Sequence, residues 1–134
     1  MKKNFWIVFL VPVLFFSCKK HETFEERCAR EARQYTLKQC PMTVQKGLTM
    51  DSIAYRGQGN KLIYYYTFSG ELDNAEMIQK NSIPFKKKLL DALSTSVDLK
   101  AYKDRNISFE YVYSSKSTGK PILDYVFTKA DYKY

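Results

Sequence analysis

The sequence predicts an α+β fold in which a four-stranded, mainly antiparallel sheet of two hairpins is packed on one face by two helices, in the order α-β-β-α-β-β. Three observations carry this expectation. Two segments repeat apolar residues at helical spacing, others alternate apolar and polar residues, and stretches rich in turn residues join the strand-like pairs. In 134 residues with 45% hydrophobic and 27% charged content, this set fits one compact domain and not two. Eleven tyrosines and nine phenylalanines, against five glycines and four prolines, point to aromatic strands rather than low-complexity chain.

The first helix is expected from Thr23 to about Tyr35. Thr23 and Glu26 have the spacing of a capping box, and Phe24, Cys28, Ala32 and Tyr35 fall on one face that would dock on the sheet. Cys40-Pro41 ends the segment. A first strand is expected within Thr43 to Tyr55, and Arg56-Gly57-Gln58-Gly59-Asn60 supplies a turn into a stronger strand, Lys61 to Ser69. Ser69-Gly70 breaks that strand. Ile78, Ser82, Phe85, Leu89 and Leu93 then share a helical stripe, interrupted by Pro84, which either kinks one helix or starts a new one in its first turn; the second is favoured, with a helix over Pro84 to Thr95.

Ser96 to Asn106 reads as irregular, with Val97, Leu99 and Tyr102 turned inward. Ile107 to Ser114 alternates cleanly, with Ile107, Phe109, Tyr111 and Tyr113 on one face. Ser115 to Lys120, containing Gly119, forms a turn, and Pro121 to Thr128 returns with Leu123, Tyr125 and Phe127 on one face.

Ahead of this domain, Met1-Lys2-Lys3-Asn4 is a basic start, and Phe5 to Phe16 is an apolar run shorter than the roughly 20 residues that a membrane-spanning helix needs. With Ser17 before Cys18, the ending Leu14-Phe15-Phe16-Ser17-Cys18 resembles the signal of a bacterial lipoprotein in a relaxed form. That resemblance implies cleavage before Cys18, acyl chains on Cys18, a lipidated tether over residues 18–22 and a single domain over 23–134, after a signal peptide over 1–17. Lys19, where no aspartate follows the cysteine, is similar to lipoproteins destined for the outer membrane, on its periplasmic face or at the cell surface. The mature part also resembles small, uncharacterised envelope lipoproteins, a resemblance that brings no catalytic residues with it.

Without Lys2 and Lys3, twenty basic residues face fourteen acidic ones, about +6. In the envelope this excess points away from nucleic acid and toward solvated lysines or anionic envelope components. The run Lys86-Lys87-Lys88 lies on an expected helix, where it cannot make one patch. In an oxidising envelope Cys28 and Cys40 read as a disulfide, with two reduced thiols or a redox pair as alternatives.

Chemistry-bearing motifs are sparse. His21 lies in the tether, a poor place for a general base or a metal, and no cofactor or metal is expected. Ser115-Lys116-Ser117-Thr118-Gly119-Lys120 lacks the spacing of a phosphate loop. Glu110, Asp124 and Asp131 are candidates to meet across the last hairpin, the arrangement a small hydrolase of an envelope polymer would need. Asn106-Ile107-Ser108 matches a glycosylation sequon, and Asp51-Ser52-Ile53 resembles an O-linked acceptor at Ser52.

The strongest functional signal is aromatic. Strand Lys61 to Ser69 is apolar on both faces, so Tyr64, Tyr66 and Phe68 either form an exposed platform for a glycan, peptide or protein, or belong to a central strand covered on both sides. The favoured reading is a lipid-anchored, non-enzymatic binding or accessory module of the envelope, attached to the membrane through Cys18; the alternative is the hydrolase. An inhibitor of an incoming hydrolase, a variant of the first, would present Arg56 to Lys61 or Ser115 to Lys120 as a protruding loop.

Overall fold

The computed structural model describes residues 21–132. The expected signal peptide and Cys18 lie outside the described residues. Helix α1 (Phe24–Gln39) is followed by strands β1 (Met42–Gln45), β2 (Leu48–Arg56) and β3 (Lys61–Phe68). A short 3-10 turn (Gly70–Leu72) then leads into helices α2 (Ala75–Lys80), α3 (Ser82–Thr95) and α4 (Lys100–Lys103), before strands β4 (Ser108–Ser115) and β5 (Pro121–Phe127).

The class is α+β, but the sheet has five strands, in spatial order β1-β2-β3-β4-β5, and it is mixed. The two expected hairpins form as antiparallel pairs, β2 with β3 and β4 with β5. They join through a parallel pairing of β3 with β4, in register from Lys61 beside Ser108 to Phe68 beside Ser115. The extra strand, β1, arises because Lys46-Gly47 makes a tight turn inside the stretch expected to hold one strand. Gly47 has φ +87°, and a Cβ there would lie 2.9 Å from the Ser69 carbonyl oxygen, so only glycine fits without a shift. β1 escapes the alternation pattern because its side chains are largely exposed.

The capping box at the start of α1 is present: Glu26 N–H donates to Thr23 Oγ1 at 3.1 Å and Thr23 N–H to Glu26 Oε2 at 2.9 Å. α1 runs past Tyr35 to Gln39 and buries Cys28 and Ala32 against the sheet. Pro84 does start a new helix. The break falls at Asn81, which caps α2, and Pro84 occupies the first turn of α3, where a missing N–H costs nothing.

Beyond β1, β2 has a bare edge, and α1 covers it. Thr36 Oγ1 donates to the Ile53 carbonyl at 3.0 Å and accepts from the Ile53 N–H at 2.9 Å, satisfying a backbone unit that no strand reaches. After α3, the chain to β4 is pinned by Lys103, which is buried and donates from Nζ to the carbonyls of Leu93 and Ser94 at 2.8 and 3.0 Å. Those are end carbonyls of α3; Leu93 also accepts the Ser96 N–H at 3.3 Å, and Ser94 accepts from Lys103. Leu99 and Tyr102 turn inward as expected, whereas Val97 is 82% exposed. Tyr132, beyond the last expected element, is buried edge-on against Phe109 and donates to the Ile107 carbonyl at 2.6 Å.

The disulfide expectation is corrected. Cys28 and Cys40 are both free thiols. With α1 continuing to Gln39, they sit near its two ends, about 18 Å apart along the axis, whereas a disulfide needs Cα atoms within about 7 Å.

Two substitutions probe these supports by thermal or urea unfolding. Gly47→Ala is expected to destabilise by about 1–3 kcal/mol, the usual cost of a strained non-glycine backbone. Lys103→Met, which keeps the buried stem and removes the donor, is expected to cost about 1–3 kcal/mol by taking the Nζ donor from the Ser94 carbonyl and leaving Leu93 with the Ser96 N–H alone. Unchanged midpoints would contradict each account.

Candidate functional site

All the helices pack on the sheet face that carries Leu62, Tyr64, Tyr66 and Phe68 of β3 and Phe109, Tyr111, Tyr113 and Ser115 of β4. α3 sits toward β5, with Phe85 edge-on to Tyr113 and the Tyr125 hydroxyl donating to the Ser82 carbonyl at 2.7 Å. α1 sits toward β2. Between α1 and the segment Ser96 to Tyr102 runs a groove with a cavity of about 520 Å³.

The groove floor is made by Met50, Ile53, Leu62 and Tyr64 of the sheet. One wall is Cys28, Glu31, Ala32 and Tyr35 of α1; the other is Ser96, Asp98, Leu99 and Tyr102. The walls meet where the Tyr102 hydroxyl donates to Glu31 Oε2, beside Phe24 packed against Tyr102 and the Arg105 guanidinium lying 4.7 Å over the Phe24 ring.

The electrostatics of the groove are set by burial. Burial pushes the Cys28 thiol up to about 11, so it stays protonated and inert as a nucleophile. Burial also raises the phenols of Tyr64 and Tyr102, which stay neutral. Glu31 is held below the usual carboxylate range by the Tyr102 hydroxyl and then by Arg27, so it stays ionised. The groove therefore offers an apolar floor, phenol and thiol walls, and a carboxylate rim. Among the described residues that line it, no serine or cysteine is hydrogen-bonded to a base.

The exposed platform expected of Tyr64, Tyr66 and Phe68 does not form. Phe68 is buried, Tyr66 is stacked on Tyr113 at 4.7 Å, and Tyr64 is stacked on Tyr111 at 5.0 Å while forming part of the groove floor. Nor is β3 covered on both sides, because α1 and the segment after α3 lie on the same face. The sequence missed the groove itself. Its only signal was the apolar face of α1, one of whose members, Tyr35, remains 38% exposed.

No helix among the described residues packs on the opposite sheet face, where Ile63 is buried under its neighbouring side chains and two of the expected carboxylates lie. Lys61 Nζ lies 2.8 Å from Glu110 Oε1, and Asp124 shares a hydrogen bond with Glu110. Burial, then that hydrogen bond and the charge of Glu110, push Asp124 up to about 6; Glu110 is held low by Asp124 and by Lys61. Asp131 does not join them, because it accepts the Thr128 N–H at 2.8 Å and caps the C-terminal turn. Neither Glu110 nor Asp124 borders the groove.

The remaining motifs find structural uses. The Ser115–Lys120 loop is the β4–β5 turn, and its Ser117 N–H is taken by Asp73 at 2.9 Å, a carboxylate where a phosphate site would need a vacancy. Ser52 is half-buried in β2 beside the register shift, and His21 is exposed ahead of α1.

Residues 23–123 match a protein family described as a domain of unknown function (DUF8479). No curated protein matches the sequence. Among solved structures, a candidate secreted protein of Pseudomonas aeruginosa superposes with a TM-score of 0.71 at 15% identity, over 81% of this chain and 92% of its own. The type 2 secretion system pilotin EpsS of Vibrio vulnificus has a TM-score of 0.53 at 11% identity, over 82% of this chain and 92% of its own. The type II secretion system pilotin AspS of Vibrio cholerae likewise has 0.53 at 13% identity, over 80% and 90%. These likenesses establish a shared fold.

The carboxylate pair yields a pH prediction. Asp124 is raised above its ordinary value, so its stabilising contribution is complete below the ordinary carboxylate range and is lost as pH rises through about 6. Glu110, held low, contributes in the opposite sense and loses its share only as pH falls below that range. Thermal midpoints of the parent should therefore decline from pH 5 to pH 7, and Asp124→Asn should flatten that decline. Equal slopes for both proteins would refute the pairing.

Proposed function

The chain belongs to that family of unknown function, and we propose that it is a lipid-anchored accessory protein of the bacterial envelope that holds a segment of a partner protein in the α1 groove without catalysing a reaction. The observation that carries this reading is the groove itself: a cavity of about 520 Å³ with an apolar sheet floor and, among the described residues, no hydrogen-bonded nucleophile-base pair along its walls. Cavities of this size are of the class that accepts a ligand or a few side chains.

Two further points support it. The pilotins that share the fold are named as parts of a secretion system, an envelope machine, which favours an accessory role over an enzymatic one. The sequence before α1 resembles a lipoprotein signal ending at Cys18, which supports the outer membrane, on either face, as the place of attachment. The hydrolase reading has one observation in its favour, the unequal pair Glu110 and Asp124. That pair lies on the helix-free sheet face with Lys61 in contact with Glu110, and neither carboxylate borders the groove.

Two measurements test the proposal. Cys18→Ser should abolish incorporation of labelled palmitate and release the protein from the membrane fraction; retention of both would refute the anchor. A photo-crosslinking residue at Tyr35, on the groove wall, should yield a discrete adduct with an envelope protein, and the same residue at Lys116, at the far end of the sheet, should not. Equal labelling at both positions, or none, would refute groove docking.

A further inference from the structure

We infer that the groove selects an apolar segment bearing a lysine or arginine, whose cation is received by Asp98 on the groove rim; this rests on the groove-docking reading above and names the chemistry of the occupant. The argument begins with a mismatch of charge. The chain carries twenty-two basic residues against fourteen acidic ones, yet the ionisable side chains lining the groove include two carboxylates and no lysine or arginine. A basic protein has placed its local acid where a ligand would enter.

The two rim carboxylates differ. Glu31 already has its partners, Arg27 at 2.8 Å and the Tyr102 hydroxyl, and closes the end where the walls meet. Asp98 stands on the other wall, exposed, with no hydrogen bond or ion pair among the described residues. Between them, Tyr35, Tyr64 and Tyr102 offer neutral aromatic rings, which attract a cation through their faces and pack its methylene stem through their area. The floor of Met50, Ile53 and Leu62 gives neighbouring apolar side chains somewhere to go.

The inference is discriminating because the protein as a whole predicts the reverse. With the mature chain at about +6, undirected attraction favours an anionic partner. Within a Debye length of about 8 Å, Glu31 is already balanced by Arg27 at 2.8 Å, so the local charge that favours a cationic partner at physiological salt is that of Asp98.

The test uses the chain from Lys19 to Tyr134, which contains every element of the fold, and three fluorescein-labelled amphipathic peptides that differ only in their polar residue: leucine-lysine, leucine-glutamine and leucine-glutamate. At physiological salt, anisotropy should rank lysine tightest and glutamate weakest. Asp98→Asn should weaken the lysine peptide about fivefold and leave the glutamine peptide unchanged, as for removal of one exposed charge partner. Lys116→Gln should change neither.

Equal affinity for the lysine and glutamine peptides would overturn the acidic-rim inference while leaving groove docking in place. Tighter binding of the glutamate peptide, or an Asp98→Asn variant indistinguishable from the parent, would also overturn it. Failure of all three peptides to bind would overturn both this inference and the docking reading beneath it. Asp98 makes no described contact that its asparagine variant would break, so loss of folding does not confuse the result.

Discussion

The parallel pairing of β3 with β4 is the constraint on which the rest of the molecule depends. A parallel neighbour cannot be reached by a tight turn, so the chain leaving Phe68 must travel back along the sheet before β4 begins at Ser108. That return carries the 3-10 turn, α2, α3 and α4, all on one face. The in-register alignment also sets Tyr64 beside Tyr111 and Tyr66 beside Tyr113, where their rings stack at 5.0 and 4.7 Å. Stacked rings under a helical layer bury much apolar area and hold their hydroxyls neutral, with Tyr66 pushed up to about 12 by burial.

The groove follows from the same constraint. α1 enters before the sheet and takes the β2 side, where β1 is too short to cover the edge and Thr36 completes the Ile53 backbone. The crossover takes the β5 side, where Gln79 donates to the Ile122 carbonyl at 2.8 Å. Two helical units that approach a sheet from separate parts of the chain leave a seam, and here the seam lies over β3 and the end of β2. Its width is fixed by ties on both walls: the Tyr102 to Glu31 hydrogen bond across it, and Lys103 holding the crossover to the end of α3. Occupants must fit between supports made for other reasons.

Much of this was legible in the sequence, and the unreadable part has a common physical cause. The α1 capping box, the hairpins and the role of Pro84 are local, set by residues a few positions apart. The parallel β3–β4 pairing joins stretches far apart in sequence and leaves no local signature, because β3 and β4 look the same whichever way they are paired. β1 was hidden by its exposed side chains. The cysteine pairing failed through a local detail with a long reach: α1 extends beyond Tyr35 to Gln39, and the extension separates Cys28 from Cys40. Tyr64 was recognised as unusual, but whether it was a platform or a floor depended on where α1 docked.

On the proposed reading, the anchor and the groove are one mechanical unit. Glu22 is fastened to α1 by Arg30, which donates from Nε and Nη2 at 2.6 and 2.8 Å, so the path is ordered up to that residue. From Glu22 back to Cys18 the chain reaches at most about 14 Å when fully extended. The wall of the groove that carries Glu31 and Tyr35 would therefore lie only a short span of chain from the anchor. A partner segment seated against α1 would be held close to the membrane at a nearly fixed height. Because the carboxylates of the groove act only over short distances in salt, that segment would be recognised after the membrane had brought it near, and the acidic rim would serve selection rather than capture.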